Sequence, residues 1–549
     1  MKNFLLVFIN FFILISFSNA QIRQENVNYY PSNINSFIGN NRTFVKIDNS
    51  GNQIISCLKE SEKTGMDYQI LKYSPGGNLI WDVSYNGYEN GYDESRAVIL
   101  DQSGNIYVTG QSTNKEGILV CLTLKINKSG NIDWINNYQS LYGNSEGISI
   151  TIDANGNIFV AGLSGTQHGG KLLLLKIGVD GKTLWNKILG ENSNLYGFGL
   201  SVKTYGKNIY LCGVSSAENQ SSDFTTLKYD TDGNLIWHRA LNGDDDLFDN
   251  ATSIFIDESE NVFVTGSIES QKTSHDITSL KYDKRGNLLW KTSFNGTADG
   301  SDWSNHIKVD KEGNAYICGG SQNVNIHNPG NLNDATVIKY NPSGKIDWVN
   351  KFDGPDHFYD CLQGLDLDFE GNVYVTGRSH SYDYLSHDDL IILKFSPNGT
   401  RQWLVTYNSE GSNLEYGNDI ILDQTGNVYV TGTINRTGVF DMIVLKYSQT
   451  NIAINDSFKG NINLSNYPNP FNPATKISYI LPASKSGVYN VSIKIYNSLG
   501  KEVESLINEV QSSGIHTVEW NASEYSSGVY FYKLETEYHS ELKKMSLIK

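Results

Sequence analysis

Between residues 43 and 447 the chain alternates short apolar runs, rich in Val, Ile, Tyr and Leu, with clusters of Gly, Asn and Asp. The second of its repeating units reads AVILD, NIYVTG, LVCLTLKI and NIDWINNY, four runs of strand length separated by turn residues. Such runs predict an antiparallel all-β meander, and no stretch from 22 to 447 has convincing helical periodicity. A ten-residue signature, DQSGNIYVTG from Asp101, returns from Asp153, Asp257, Asp310, Asp368 and Asp423, with degenerate copies from Asp48 and Lys203, so the unit occurs eight times. A Lys nine residues before a Trp accompanies it seven times, at Lys72/Trp81, Lys125/Trp134, Lys176/Trp185, Lys228/Trp237, Lys281/Trp290, Lys339/Trp348 and Lys394/Trp403; Lys446 has no such Trp.

The turn between the first two strands of each unit is D-x-x-G-N, in which Asp bonds its own backbone two residues on and Gly supplies a positive φ. Oxygens alternating at Asp153, Asn155 and Asn157 allow a calcium reading, but the loop lacks the carboxylate count and closing Glu of a calcium loop. No cofactor is expected, with calcium there as the one alternative. Four-stranded sheets repeated in this way escape exposed edges by closing into a ring. The last unit, about Asn418 to Tyr447, supplies only three strands, while Ile22 to Tyr30 is an unassigned strand-like run, so the N-terminal segment is expected to complete the final sheet. The expected fold is an all-β propeller of four-stranded blades, eight predicted with seven as the alternative, over residues 21–447. Seven tryptophans at equivalent strand sites read as packing residues. The paired motifs resemble the seven-bladed β-propeller repeat family of bacterial secreted proteins over about Thr43 to Tyr447, whose name implies seven blades where eight motifs are counted here.

Residues 1–20, MKNFLLVFINFFILISFSNA, have the cationic start, apolar core and small-residue end of a secretory signal peptide. The five cysteines are then an odd number for a secreted chain. Cys57, Cys212 and Cys318 end the same strand in non-neighbouring units, beyond the reach of a disulfide, and read as small buried hydrophobes. A formal net charge of −16 without a basic run argues against nucleic acid as a partner.

Strand alternation puts the two stereotyped turns of every unit on one face and the variable loops on the other, where binding is expected. Seven histidines (His168, His275, His306, His327, His357, His380, His387) map to that variable face, as do recurrent aspartates (Asp67, Asp223, Asp276, Asp334, Asp389, Asp441) expected to cap their loops. A metal reading pairs the histidines with Asp356, Asp388 or Asp389, but no H-x-x-x-H spacing supports it. The expected ligand-binding residues are Trp303, Phe358, Tyr359, Tyr382, Tyr384, His357, His380 and His387, suited to stacking on a glycan or anchoring a surface protein. No compact catalytic signature is present, so a non-catalytic binding or structural module is expected. The alternative is an exported propeller enzyme: a polysaccharide hydrolase or lyase, or a quinoprotein, which the run KIGVDGKTLW resembles but whose adjacent cysteines are missing.

Residues 448–461 read as a polar linker, and residues 462–549 as a small immunoglobulin-like β-sandwich. YPNPFNPAT, IYNSLGKEV, SSGVYFYKL and KKMSLIK together resemble the C-terminal sorting domain (type A) of type IX secretion cargo. That resemblance implies signal residues Tyr467, Pro468, Asn469, Pro470, Phe471, Gly528, Tyr530, Lys543 and Lys544. It further implies the type IX machinery as partner and, as destination, the outer surface or medium of a Bacteroidetes-type cell. No membrane-spanning segment is expected after signal cleavage.

Overall fold

The computed structural model describes residues 21–549 apart from 35–42, 62, 167–168, 190–200, 217–220, 244, 324–332, 356, 382–386, 410–411, 437–438, 451–463, 468, 482–487, 499, 513 and 537–539. The expected signal peptide and nearly all of the expected linker lie outside the described residues. A few strand residues, among them His387 and Tyr467, are described by their backbone alone. Two compact units emerge, Ile22–Gln449 and a C-terminal one from Thr450.

In the larger unit the described strands form eight antiparallel four-stranded sheets, blades 1 to 8 in chain order, with a single residue pair, Asp388 and Leu414, joining the last two. Blade 8 takes its outer strand from Gln21–Ile34, which lies beside Val439–Thr450. That last strand runs three residues past Tyr447. Apolar clusters fill the successive junctions; one joins Ile54, Tyr68 and Ile70 of blade 1 to Val98, Val108 and Leu122 of blade 2. Another joins Ile55 and Cys57 of blade 1 to Phe440, Met442 and Val444 of blade 8. The ring is therefore closed, and eight is the blade number.

The recurring residues build this wheel in two ways. In the first turn, Asp101 Oδ1 accepts the N–H groups of Ser103 and Asn105 (2.9 and 2.8 Å), Oδ2 accepts Asn105 Nδ2 (2.7 Å), and Gly104 has a φ of 80°. Asp153 engages its own loop in the same way. Glu260 stands where that glycine would be, at a φ of 64°, and accepts Lys228 Nζ of the preceding blade at 3.0 Å. In the second half, each Trp lies opposite its Lys across strands three and four, as Lys228 does Trp237, and in three of these couples both side chains bond to the next blade. Lys228 Nζ and Trp237 Nε1 donate to the same carbonyl, Lys284 O, at 2.9 and 3.3 Å. Lys176 and Trp185 share Thr231 O in the same manner, and Lys339 and Trp348 share Pro397 O. Lys446 has no Trp but still donates to Pro75 O of blade 1 at 3.1 Å, so the staple also crosses the closure. All five cysteines are buried and unbridged, and burial pushes the Cys57 and Cys121 thiols up to about 12.

The C-terminal unit packs the sheet of Ser465–Tyr467, Ala474–Leu481 and Gly514–Asn521 against a four-stranded sheet built from Val488–Asn497, Glu502–Ser512, Gly528–Glu535 and Ser540–Leu547. Trp520, Tyr532, Ile493 and Met545 fill the space between them. It is a two-sheet sandwich.

Candidate functional site at the variable face of blades 6 to 8

Two aromatic residues singled out by sequence meet here. Trp303, on the innermost strand of blade 6 (Asp302–Val309), stacks on Tyr359, which precedes the innermost strand of blade 7 (Asp360–Leu367), with ring centroids 6.0 Å apart and planes at 20°. Gly320 pairs with Trp303 across the sheet and gives the indole room: a Cβ there would fall 2.4 Å from the ring. The two rings, with Ser301, Gln322 and Asn333, line a cleft of about 250 Å³. Gln322 Oε1 accepts the Ser301 N–H at 2.8 Å and fixes that rim.

Beside the cleft, the Arg378 guanidinium sits 4.4 Å from the Tyr359 ring centre and 4.7 Å from that of Tyr416 in blade 8, and donates to Asp388 Oδ2 at 3.0 Å. Burial pushes the Tyr359 and Tyr416 phenols up to about 12, so both stay protonated. His380 Nδ1 lies 2.8 Å from Asp388 Oδ1, and its ring meets Phe358 edge to face at 5.2 Å. Phe358, Tyr359 and His380 thus belong to one constellation with Trp303. His357 does not join it through these contacts; it turns to Asp353 at 2.6 Å from a backbone φ of 56°. Tyr382 and Tyr384 lie outside the described residues, and His387 opens the strand His387–Phe395.

Arg378 was not among the expected residues. The signal for it was present: at its position after the strand-two glycine or cysteine the other units carry Leu58, Gln111, Leu163, Val214, Ser267, Gly320 and Thr433, none charged. One mapped histidine is corrected by the structure. His306 lies within the innermost strand of blade 6, with Nδ1 3.1 Å from Leu365 O, rather than in a variable loop.

Two of the recurrent aspartates differ from expectation. Asp67 and Asp276 accept hydroxyls, from Thr64 (2.6 Å) and Thr273 (2.9 Å). The backbone caps come instead from the acid that begins the next blade: Asp93, Asp249 and Asp360 accept the N–H groups of Gly87, Gly243 and Gly354 at 2.6, 2.6 and 2.7 Å. Each capping acid is near the preceding blade's aspartate, and burial followed by such neighbours pushes Asp249 and Asp360 up to about 6. A carboxyl raised above its unfolded value of about 3.9 stabilises the fold fully below that value, and the contribution is lost as pH rises through about 6. Asp360→Asn keeps an acceptor for Gly354 and removes the buried charge. It is expected to raise the thermal midpoint at pH 7.5 and to leave it unchanged or lower at pH 4; melts of both proteins across that range check the sign.

In the C-terminal unit the motif residues anchor the final strand. Phe471 is buried against Trp520 at 5.4 Å; its N–H donates to Ser546 O and its carbonyl accepts Ile548 N–H, both at 3.0 Å. Asn469 Oδ1 accepts the Ser546 N–H at 3.0 Å, and Pro470 follows it through a cis bond. Tyr530 packs on Trp520 at 5.2 Å and donates to Ser526 O at 2.8 Å. Gly528 pairs with Leu547, and Lys543 and Lys544 pair with Tyr532 and Phe531 on the same strand couple. Tyr467 pairs with Lys476, and Pro468 lies outside the described residues.

Residues 465–549 match the family model described as a secretion system C-terminal sorting domain. No curated protein matches the chain. Among solved structures it is similar to PorZ, a bacterial surface component of the type-IX secretion system of Porphyromonas gingivalis, at 11% identity over 96% of this chain and 100% of that one, with a TM-score of 0.22. It is also similar to a polysaccharide lyase of family PL25, an ulvan lyase (11% identity, 76% and 94% covered, TM-score 0.44). A third likeness is to the WD40 domain of SCAP from fission yeast (10% identity, 78% and 98% covered, TM-score 0.42). The sorting domain indicates export to the cell surface or the medium, and implies contact with the type IX secretion machinery.

Proposed function

We propose that this exported propeller is a non-catalytic glycan-binding module of the seven-bladed-repeat family. In this reading the Trp303–Tyr359 cleft is its sugar subsite. The supporting observation is the composition of that cleft: two large ring faces beside the side-chain amides of Gln322 and Asn333. Ring faces pack against the C–H face of a pyranose, and amides bond its hydroxyls, the combination that orients a ligand in a mostly preformed site. Arg378, held between two tyrosines and balanced by Asp388, stiffens the wall and offers a charge at the rim.

A polysaccharide array probed with the purified protein tests this. Binding is expected to at least one glycan class, and Trp303→Ala is expected to weaken it by ten- to a hundredfold, on the order of 1.4–2.8 kcal/mol. Unchanged binding by that variant sinks the subsite, and depolymerisation of the bound glycan moves the protein into the enzyme class.

A further inference from the structure

The innermost strands of blades 1, 4 and 6 each carry a lysine at the same register position: Lys46 opposite Ile54, Lys203 opposite Tyr210 and Lys308 opposite Tyr316. The other blades hold Ile99, Thr151, Phe255, Asp366 and Ile421 there. No two of the lysine-bearing blades are neighbours, yet Lys203 lies within electrostatic reach of both Lys308 and Lys46. Innermost strands of separated blades approach one another only across the central channel, so the three ammonium groups converge on it.

Two of the charges are matched. Lys308 pairs with Asp366 at 3.1 Å and Lys46 with Asp419 at 3.6 Å. His306 stands in the same group; burial first, then these lysines, push it down to about 3, so it is neutral. Its Nδ1 faces Leu365 O, which leaves Nε2 as an acceptor. The Lys203 ammonium has no hydrogen bond or ion pair among the described residues. Lys203 is exposed to solvent, yet it is ringed by protein, and that crowding, reinforced by Lys308 and Lys46 and opposed by Cys212 and Asp419, pushes its pKa down to about 8. Lys308 and Asp366 also line a cleft of about 400 Å³, with Phe255 and Phe369, at the face of stereotyped turns. The channel thus sets three lysines against two carboxylates, Asp366 and Asp419, an excess of one positive charge inside a protein whose formal net charge is −16.

We propose that the central channel is a binding site for one small oxyanion, held by Lys203 with Lys46 and Lys308 around it. A singly or doubly charged oxyanion of phosphate or carboxylate type accepts from several ammonium groups at once and removes their mutual repulsion. The site is independent of the variable-face cleft and lies toward the opposite face.

The test is calorimetric titration of the purified full chain with inorganic phosphate at pH 7, ionic strength held constant with chloride. Saturable binding of one phosphate per chain is expected, weakened at least tenfold by Lys203→Gln and restored to within threefold by Lys203→Arg. Unfolding midpoints without phosphate report whether each variant is folded. Absence of saturable binding up to tens of millimolar, or a folded Lys203→Gln protein binding like the parent, overturns the proposal.

Discussion

Trp237→Ala is expected to lower the unfolding free energy by about 3–5 kcal/mol, read from urea denaturation. Trp237 is 6% exposed and lies at the junction of blades 4 and 5, with Tyr210 and Tyr282 rings 6.2 and 6.0 Å away and the Arg239 guanidinium 5.8 Å from its centre. The next blade is shaped to it: Gly286 adopts a φ of 80°, and a Cβ there would lie 2.8 Å from the indole. Truncation opens a cavity between two blades and removes the donor to Lys284 O. Trp290, at the equivalent place, has no hydrogen-bond partner at Nε1. Trp290→Ala is therefore expected to cost about 1 kcal/mol less, the net worth of a neutral hydrogen bond. A Trp237→Ala protein within 1 kcal/mol of the parent would show that apolar burial around the ring is replaced by collapse of the junction.

Deleting residues 464–549 is expected to abolish surface exposure, with the propeller retained in the periplasm and protected from external protease. The reason is confined to the C-terminal unit, whose residues 465–549 match a secretion sorting domain. A single change with the same direction is Phe471→Ala. Its side chain is a buried contact of Trp520, and its backbone brackets the last strand between Ser546 and Ile548. Losing the ring loosens that strand, and display is expected to fall at least tenfold by cell fractionation. Full display after the deletion would remove the sorting role.

What is legible in the amino-acid sequence follows from repetition. The D-x-x-G-N turn and the Lys–Trp couple recur because the blades must close hairpins and grip their neighbours, and that repetition, seven times for the couple, makes both stand out along the linear chain. The binding surface lacks that advantage. Trp303 and Tyr359 are recognisable as aromatics outside the repeat pattern, although Trp303 lies on a strand and not in a loop. Their stacking, however, depends on Gly320 having no side chain, and the position of Arg378 between Tyr359 and Tyr416 joins two blades. Lys203 is hidden for a different reason: it sits in a degenerate unit, and only the register Lys203 to Tyr210 aligns it with Lys46 and Lys308. The capping acids escape notice because the recurring aspartate nearby offers a simpler candidate for the same bond.

The outer strand of blade 8 carries a kinetic consequence. Tyr447 and Ser448 bond to Gln24 and Glu25 across 423 residues of sequence. Bringing such distant segments together costs roughly 5 kcal/mol of loop-closure entropy if nothing between them is ordered, and far less once seven blades have formed. The seam is then the last part of the ring to assemble, and the pairing that fixes its position has very high contact order. Until it forms, the strand Val439–Thr450 is an open edge able to pair with another chain. Folding intermediates of this protein are accordingly expected to associate through the third strand of blade 8, an edge that the finished ring covers.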